Sequence, residues 1–201
     1  MNKLISRSSL HFALGILAFL PLAGILSPGS SSSQSVSKIN SKNTLMQSAS
    51  KHSQSTQRYT NFTYHITLNY PKNWQPTKGY EERFNGADGF FQISSIGFSD
   101  DVLPGQPRPT LQDTCNVTAT HKLRPYGSRP QIQRLQIQGR PACLILPSPD
   151  QDSSMEKMAT LIARYPKTIR IGTMTYDHLM LNANKGHIRE IANTLKFTRL
   201  R

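Results

Sequence analysis

Residues 62–70, FTYHITLNY, alternate apolar and polar side chains through nine positions. Phe62, Tyr64, Ile66, Leu68 and Tyr70 are apolar, and Thr63, His65, Thr67 and Asn69 between them are polar. A period of two belongs to a strand with one face buried and one wet, because successive side chains on a strand point to opposite faces; a helical period would scatter these five apolar groups around the axis. The chain must therefore build a sheet with something packed on it. Pro71 ends the strand, and Trp74 follows in PKNWQP.

The rest of the chain continues in that vein. EERF predicts a second strand, NGADG (85–89) a turn through its Asn-Gly and Asp-Gly pairs, and FFQISSIGF (90–98) the next strand. DVLPGQPRP (101–109) is a loop. A helix starts at Thr110, with Asp113 three residues on in the spacing of a capping box. Leu111, Cys115, Ala119 and Leu123 lie on one stripe, which carries the helix to Leu123; Arg124 then precedes Pro125 and disfavours helical backbone. His121 and Lys122 fall in the expected last turn, where cations meet the negative end of the helix dipole. IQRLQIQ (132–138), a turn at GRP (139–141) and ACLILP (142–147) make a hairpin. MATLIARYP (158–166) and MTYDHLMLNA (174–183) are two further strands, and Ile188, Ile191, Ala192 and Leu195 form the apolar stripe of a closing helix. Runs of strands with segregated helices define an α+β class, a mostly antiparallel sheet with helices packed on it.

Residues 1–29 have the anatomy of an export signal: Lys3 and Arg7, then an apolar run from Leu10 to Leu26, then small residues around Ser27 and Gly29. The segment is either a cleaved signal peptide or an uncleaved amino-terminal anchor, and both place the remainder outside the cytoplasm. Membrane attachment is expected only if it is uncleaved. Residues 30–57 are rich in Ser, Gln, Asn and Lys and are expected to form a disordered spacer, since such a composition buries too little apolar area to offset chain entropy. Residues 58–201 are left as a single α+β domain, expected to be a monomer. The full chain carries 24 Lys and Arg against 11 Asp and Glu, a net +13. Residues 1–29 hold two of those cations and no acid, so +11 survives their removal. Such a charge favours anionic partners. Outside the cytoplasm these are an envelope protein, an anionic polymer or lipid headgroups, and nucleic acid is not expected.

The only cysteines are Cys115 and Cys143, one on the apolar stripe of the helix and one in an apolar strand. In an exported domain this placement suggests a disulfide, with two buried free thiols as the other reading. The histidines, His11, His52, His65, His121, His178 and His187, show no metal-ligand spacing, and Asp177 and His178, being adjacent on a strand, point to opposite faces. A nucleophile elbow, a P-loop and a dinucleotide-binding glycine motif are absent from the sequence, and Ser-Lys pairs in SVSKINSK fall in the polar spacer, where no oxyanion hole can be preorganised. No catalytic residue, metal site or cofactor is assigned.

Between the cysteines lies HKLRPYGSRP (121–130). Arg124 and Arg129 in this stretch, Arg134 on the following strand and Arg140 at the hairpin tip are the candidate anion-binding residues, sharing one edge. Leu135 and Ile137 are expected to face the helix, with Arg134 pointing away. Arginine suits phosphate and carboxylate because its planar fork donates two hydrogen bonds at once. The other reading is a solvated basic edge without a specific partner.

YHITLNYPKNW, GFFQISSI and the terminal IREIANTLKF resemble the Mog1/PsbP-like α/β/α sandwich. HKLRPYGS, IQGRPACLILPS and IREIANTLKF resemble exported bacterial domains grouped by name with BlaR-type antirepressor metallopeptidases. The first resemblance implies the fold, through the packing motif Tyr70, Pro71 and Trp74. The peptidase activity does not carry over, because it needs His-Glu-x-x-His and no histidine here precedes a glutamate. The calcium, chloride and photosystem roles of PsbP relatives match no residue of this chain. The expectation is a non-catalytic exported accessory or binding domain of the cell envelope. The alternative is an envelope enzyme or enzyme regulator whose site is assembled from residues distant in sequence.

Overall fold

The computed structural model describes residues 55–80, 82–98 and 109–198. The export segment, most of the spacer and all but Pro109 of the loop expected at 101–109 lie outside the described residues.

The period-two pattern holds from residue 66 onward: Ile66, Leu68 and Tyr70 are buried in strand β2 (Ile66–Pro71). It fails at its beginning. Residues 62–65 are a turn, not the start of the strand, and Phe62 is 80% exposed. The preceding strand β1 (Thr56–Asn61) pairs antiparallel with β2, from Thr56↔Pro71 to Asn61↔Ile66. The Asn61 side chain accepts the Tyr64 N–H at 2.9 Å, and His65 takes a left-handed φ of 50°, so the chain reverses where the alternation predicts extension. Strand β1 also begins at Thr56, inside the stretch read as spacer.

Ten strands and two α-helices are found among the described residues. After β2 come β3 (Gln75–Pro76), β4 (Arg83–Gly86), β5 (Gly89–Phe98), α1 (Leu111–Ala119), β6 (Gln131–Ile137), β7 (Arg140–Leu146), β8 (Met158–Ile171), β9 (Met174–Asn184), α2 (Ile188–Thr194) and β10 (Lys196–Phe197). One sheet has the order β3-β4-β5-β9-β8-β7-β6, and a small one the order β1-β2-β10. Every pairing is antiparallel, so the molecule is α+β with a mostly antiparallel sheet.

The central strands are apolar on both faces, which forces a cover on each side. Leu144, Leu161, Ala163, Leu179 and Leu181 belong to the larger core, with Ile66 and Leu68 of β2 and Ile188 and Ile191 of α2. Cys143, Ile145 and Ile162, the alternate positions on β7 and β8, belong to a second core with Cys115 and Ala119 of α1 and with Tyr126. At one end of the larger core Tyr59, Tyr70, Phe84 and Phe91 pack ring against ring at centroid distances from 4.9 to 5.5 Å.

Helix α1 has the expected capping box. The Thr110 hydroxyl accepts the Asp113 N–H at 3.2 Å, and the Asp113 carboxylate accepts the Thr110 N–H at 2.9 Å. It ends at Ala119 rather than Leu123. The Thr120 hydroxyl donates to the Asn116 carbonyl at 2.8 Å, and Arg124 turns left-handed at φ 48°. His121 and Lys122 therefore lie past the helix end, and Leu123 is half-exposed instead of extending the stripe. The β6–β7 turn is also displaced. Gln138 and Gly139 both have positive φ, 50° and 74°, as a two-residue hairpin turn requires, so Arg140 and Pro141 already belong to β7.

Cys115 and Cys143 form a disulfide, with their Cα atoms 6.5 Å apart, which ties α1 to β7. It closes a loop of sequence separation 28, worth about 3.5 kcal/mol in the chain-entropy treatment. Non-reducing peptide mapping should recover the Cys115–Cys143 pair as a linked fragment. Replacing both cysteines with Ala should lower the unfolding free energy by about 3 kcal/mol in urea titration. Two freely alkylated thiols in oxidised protein would contradict the bond.

Candidate functional site

The stretch 121–130 is a pinned loop. Its backbone turns through Arg124 N–H to His121 C=O (2.7 Å) and Gly127 N–H to Arg124 C=O (2.9 Å). The segment after β7 then holds it from below. Ser148 N–H donates to the Tyr126 carbonyl at 2.9 Å, the Ser148 hydroxyl accepts the Arg129 N–H at 3.2 Å, and Asp150 accepts the Ser128 N–H at 3.1 Å. The Ser148 hydroxyl also donates to Asp150. Gln151 donates to the Pro125 and Met158 carbonyls at 2.8 and 2.9 Å, bridging the loop to β8. Tyr126 is buried beneath, its hydroxyl 2.6 Å from that of Thr160, which donates in turn to Asn182 at 2.6 Å. PYGS and PSPDQ, far apart in sequence, are thus two halves of one clamp. Gly127 has φ +81°, and a Cβ there would stand 2.2 Å from the Ser148 hydroxyl and 2.7 Å from Asp150, so only glycine fits.

The clamp presents Arg124 and Arg129 to solvent. Arg134 is exposed on β6, which pairs only with β7 among the described residues and is the open edge of the large sheet. Its Nε donates to the Gln112 side chain of α1 at 3.0 Å. The helix therefore covers the Arg134 face, and Leu135 and Ile137 pack into the larger core on the opposite face, the reverse of the expected arrangement. Helix α1 packs over the face of Cys143 and Ile145, and Arg134, the register partner of Cys143, shares it. Arg140 pairs with Ile137 at the far end of the strand. Gln131 to Ile137 spans about 20 Å at the usual strand rise, so Arg129 and Arg140 mark opposite ends of the edge and do not converge on one point. The four arginines line an edge. They do not form a pocket.

Two features lie outside the sequence-derived candidates. The first surrounds Trp74, which is fully buried. Its indole N–H donates to Asp88 at 2.7 Å, and His187 stands 3.5 Å from the same carboxylate. A Cβ on Gly86 would lie 2.0 Å from the indole ring. Glycine at that turn is thus required by the approach of Trp74, not by a positive φ. The second is a cleft of about 290 Å³ on the α1 side of the sheet, lined by Pro109, Thr110, Leu111, Arg164, Thr168, Asp177 and His178. His178 is only 3% exposed, and neither ring nitrogen has a hydrogen-bond partner. Burial holds its imidazole below the usual histidine range; Asp177 acts in the opposite direction, and Arg164 adds to the lowering. In MTYDHLMLNA, His178 is in phase with Met180, which marks it as inward-facing, but its adjacency to Asp177 gives no sign that it meets Arg164 across the sheet. Among the described residues, no group of three or more His, Cys, Asp or Glu is placed to hold a metal ion.

No protein-family model matches the chain, and no curated protein matches it. Among solved structures, the chain is similar to cyanobacterial PsbP (CyanoP) from Synechocystis sp. PCC 6803. The likeness covers 72% of this chain and 93% of that one, at 14% identity and a TM-score of 0.38. A likeness of that size carries no argument about function, and the α+β class stands on the strand pairing itself. Among the described residues, no helix is long and apolar enough to cross a membrane.

Gly127→Ala should destabilise the fold by about 2–3 kcal/mol, combining left-handed strain with the collision at Ser148, as read from denaturation midpoints at unchanged slope. Hydrogen bonds from Ser128, then Ser148, hold the Asp150 carboxyl down to about 2. A depressed carboxylate stabilises the fold above its ordinary pKa and loses that contribution as the pH falls through its folded one. The denaturation midpoint should therefore fall between about pH 4 and pH 2, and Asp150→Asn should remove part of that fall. An identical acid profile in the variant would mean that Asp150 does not secure the clamp.

Proposed function

We propose that this chain is a non-catalytic extracytoplasmic accessory domain of PsbP-like α/β/α sandwich type, which meets anionic envelope components through the basic β6 edge. The observation that carries this reading is the edge itself. The β6–β7 hairpin holds Arg134 and Arg140 and no carboxylate, and the clamped loop beside it holds Arg124 and Arg129 with their side chains in solvent. The clamp supports a binding role because it fixes the backbone on which two of the arginines are mounted, so less freedom is lost when they meet a partner. The Cys115–Cys143 disulfide supports an oxidising compartment. An elongated row of guanidinium groups suits an extended anionic polymer or a headgroup layer better than a single small ligand.

Replacing Arg124, Arg129 and Arg134 together with Gln should leave folding intact. Binding to vesicles containing anionic lipid, or to anionic wall polymer, should weaken about a hundredfold at low salt, taking ~1 kcal/mol per removed charge. The difference should shrink as salt is raised, because exposed charges are screened over about 8 Å at physiological ionic strength. A control with Lys72, Lys167 and Arg170 changed to Gln removes the same charge elsewhere. Equal losses from the two triple variants would show that net charge alone matters and that the edge is not a site.

A further inference from the structure

His178 sits at the centre of β9, opposite Arg164 of β8, on the sheet face that α1 covers. It is almost wholly shielded from solvent, with 3% exposed, yet both ring nitrogens are unpartnered. A buried polar group left unpaired costs about 1–3 kcal/mol, and in native structures such a group needs an explanation. His187, which is only partly buried, differs in this respect, because Asp88 stands 3.5 Å from it. His178 has instead the cleft of about 290 Å³, into which Arg164 and the hydroxyl residues Thr110 and Thr168 also face. Asp177 lines the same cleft but is not a free carboxylate.

Apart from the Asp177 carboxylate, the polar groups of the cleft lean toward donation. Arg164 donates only, the Thr168 hydroxyl donates or accepts, and an imidazole that gains a proton donates from both nitrogens, while the Thr110 hydroxyl is already engaged by Asp113. A small oxyanion offers the matching acceptors. The volume lies at the lower limit for ligand sites, which suits a phosphate-sized or short carboxylate-bearing group rather than a large organic molecule. We propose that the His178–Arg164 cleft is a binding site for a small oxyanion of the phosphate or carboxylate class. The site lies on a different surface from the β6 edge, and either can hold without the other.

The charged groups facing His178 are Asp177 on its own strand, which favours the imidazolium, and Arg164 on β8, which opposes it; Pro109, Thr110, Leu111 and Thr168 bring no titratable group to the lining. A bound anion screens Arg164 and favours the charged ring, so binding takes up a proton.

The test is a titration of the full chain with sodium phosphate, sodium acetate and sodium chloride at constant ionic strength, followed through the His178 ring resonances. Phosphate or acetate should produce a saturable shift that chloride does not, and the stronger of the two assigns the ligand class. Acetate affinity should rise as the pH falls from about 6.5, the ordinary histidine value, toward about 5.5, where acetate itself stays mostly charged. Arg164→Gln, at an exposed position, should raise the dissociation constant at least about tenfold, the loss expected for one charge-assisted hydrogen bond. Arg170→Gln should leave it unchanged. The site is overturned if chloride acts equally, if Arg170→Gln weakens binding as much as Arg164→Gln, or if His178 responds to none of the three, in which case water fills the cleft.

Discussion

The pairing of β7, β8 and β9, strands that are apolar on both faces, is the constraint on which the rest of the molecule depends. Leu144, Leu161 and Leu181 point to one side, and Cys143, Ile145 and Ile162 to the other. Neither set can be left to water, so the chain needs two covers. The amino-terminal hairpin β1–β2 and α2 supply one, and α1 supplies the other, fastened by the disulfide to β7. At the α1 side the cover is a nine-residue helix, which is short for a seven-stranded sheet. That shortness leaves room both for the buried Tyr126 loop at one end and for the cleft over His178 at the other.

The loop 121–130 and strand β6 carry their polar side chains in different ways. In 121–130 the backbone carries the structural role: its carbonyls and amides meet Ser148, Asp150 and Gln151, and its arginines are what remains outside. A loop tied by that many hydrogen bonds is a mount for the side chains it displays. On β6 the division falls by face: Leu135 and Ile137 fill the core, while Arg134 reaches to α1 and solvent. Basic side chains on an open strand edge also discourage that edge from pairing with a second copy. The proposed anion surface and this protection of the sheet edge thus draw on the same side chains.

Glycine and tryptophan show how a local rule and a tertiary contact can agree on a residue for different reasons. The sequence NGADG predicts a turn from the freedom of glycine, and the turn falls at Ala87 and Asp88, between Gly86 at the end of β4 and Gly89 at the start of β5. Gly86 is nonetheless held to glycine by the Trp74 ring, and Asp88 at the same turn accepts the indole N–H. The turn docks the tryptophan, and the tryptophan closes one end of the larger core.

The strand-rich α+β class, the capping box at Thr110 and the strands β5, β8 and β9 were legible in the sequence, because they rest on periodicity and short-range hydrogen bonds that neighbouring residues make among themselves. The cysteine pair was legible as one of two readings, since the apolar phases of Cys115 and Cys143 place both inward without saying that they meet. What only the tertiary structure decided are the reversals and the juxtapositions. The alternation from Phe62 onward carries no mark of direction, so the bend closed by Asn61 and His65 stays invisible to it. The length of α1 depended on a competition at Thr120 and Arg124 that the apolar stripe could not report. Which sheet face α1 covers, and hence where Arg134 points, depended on which core side chains were left for it. His178 and Arg164 stand opposite each other only because β8 and β9 pair in one register, and a register is a property of two strands together, not of either sequence alone.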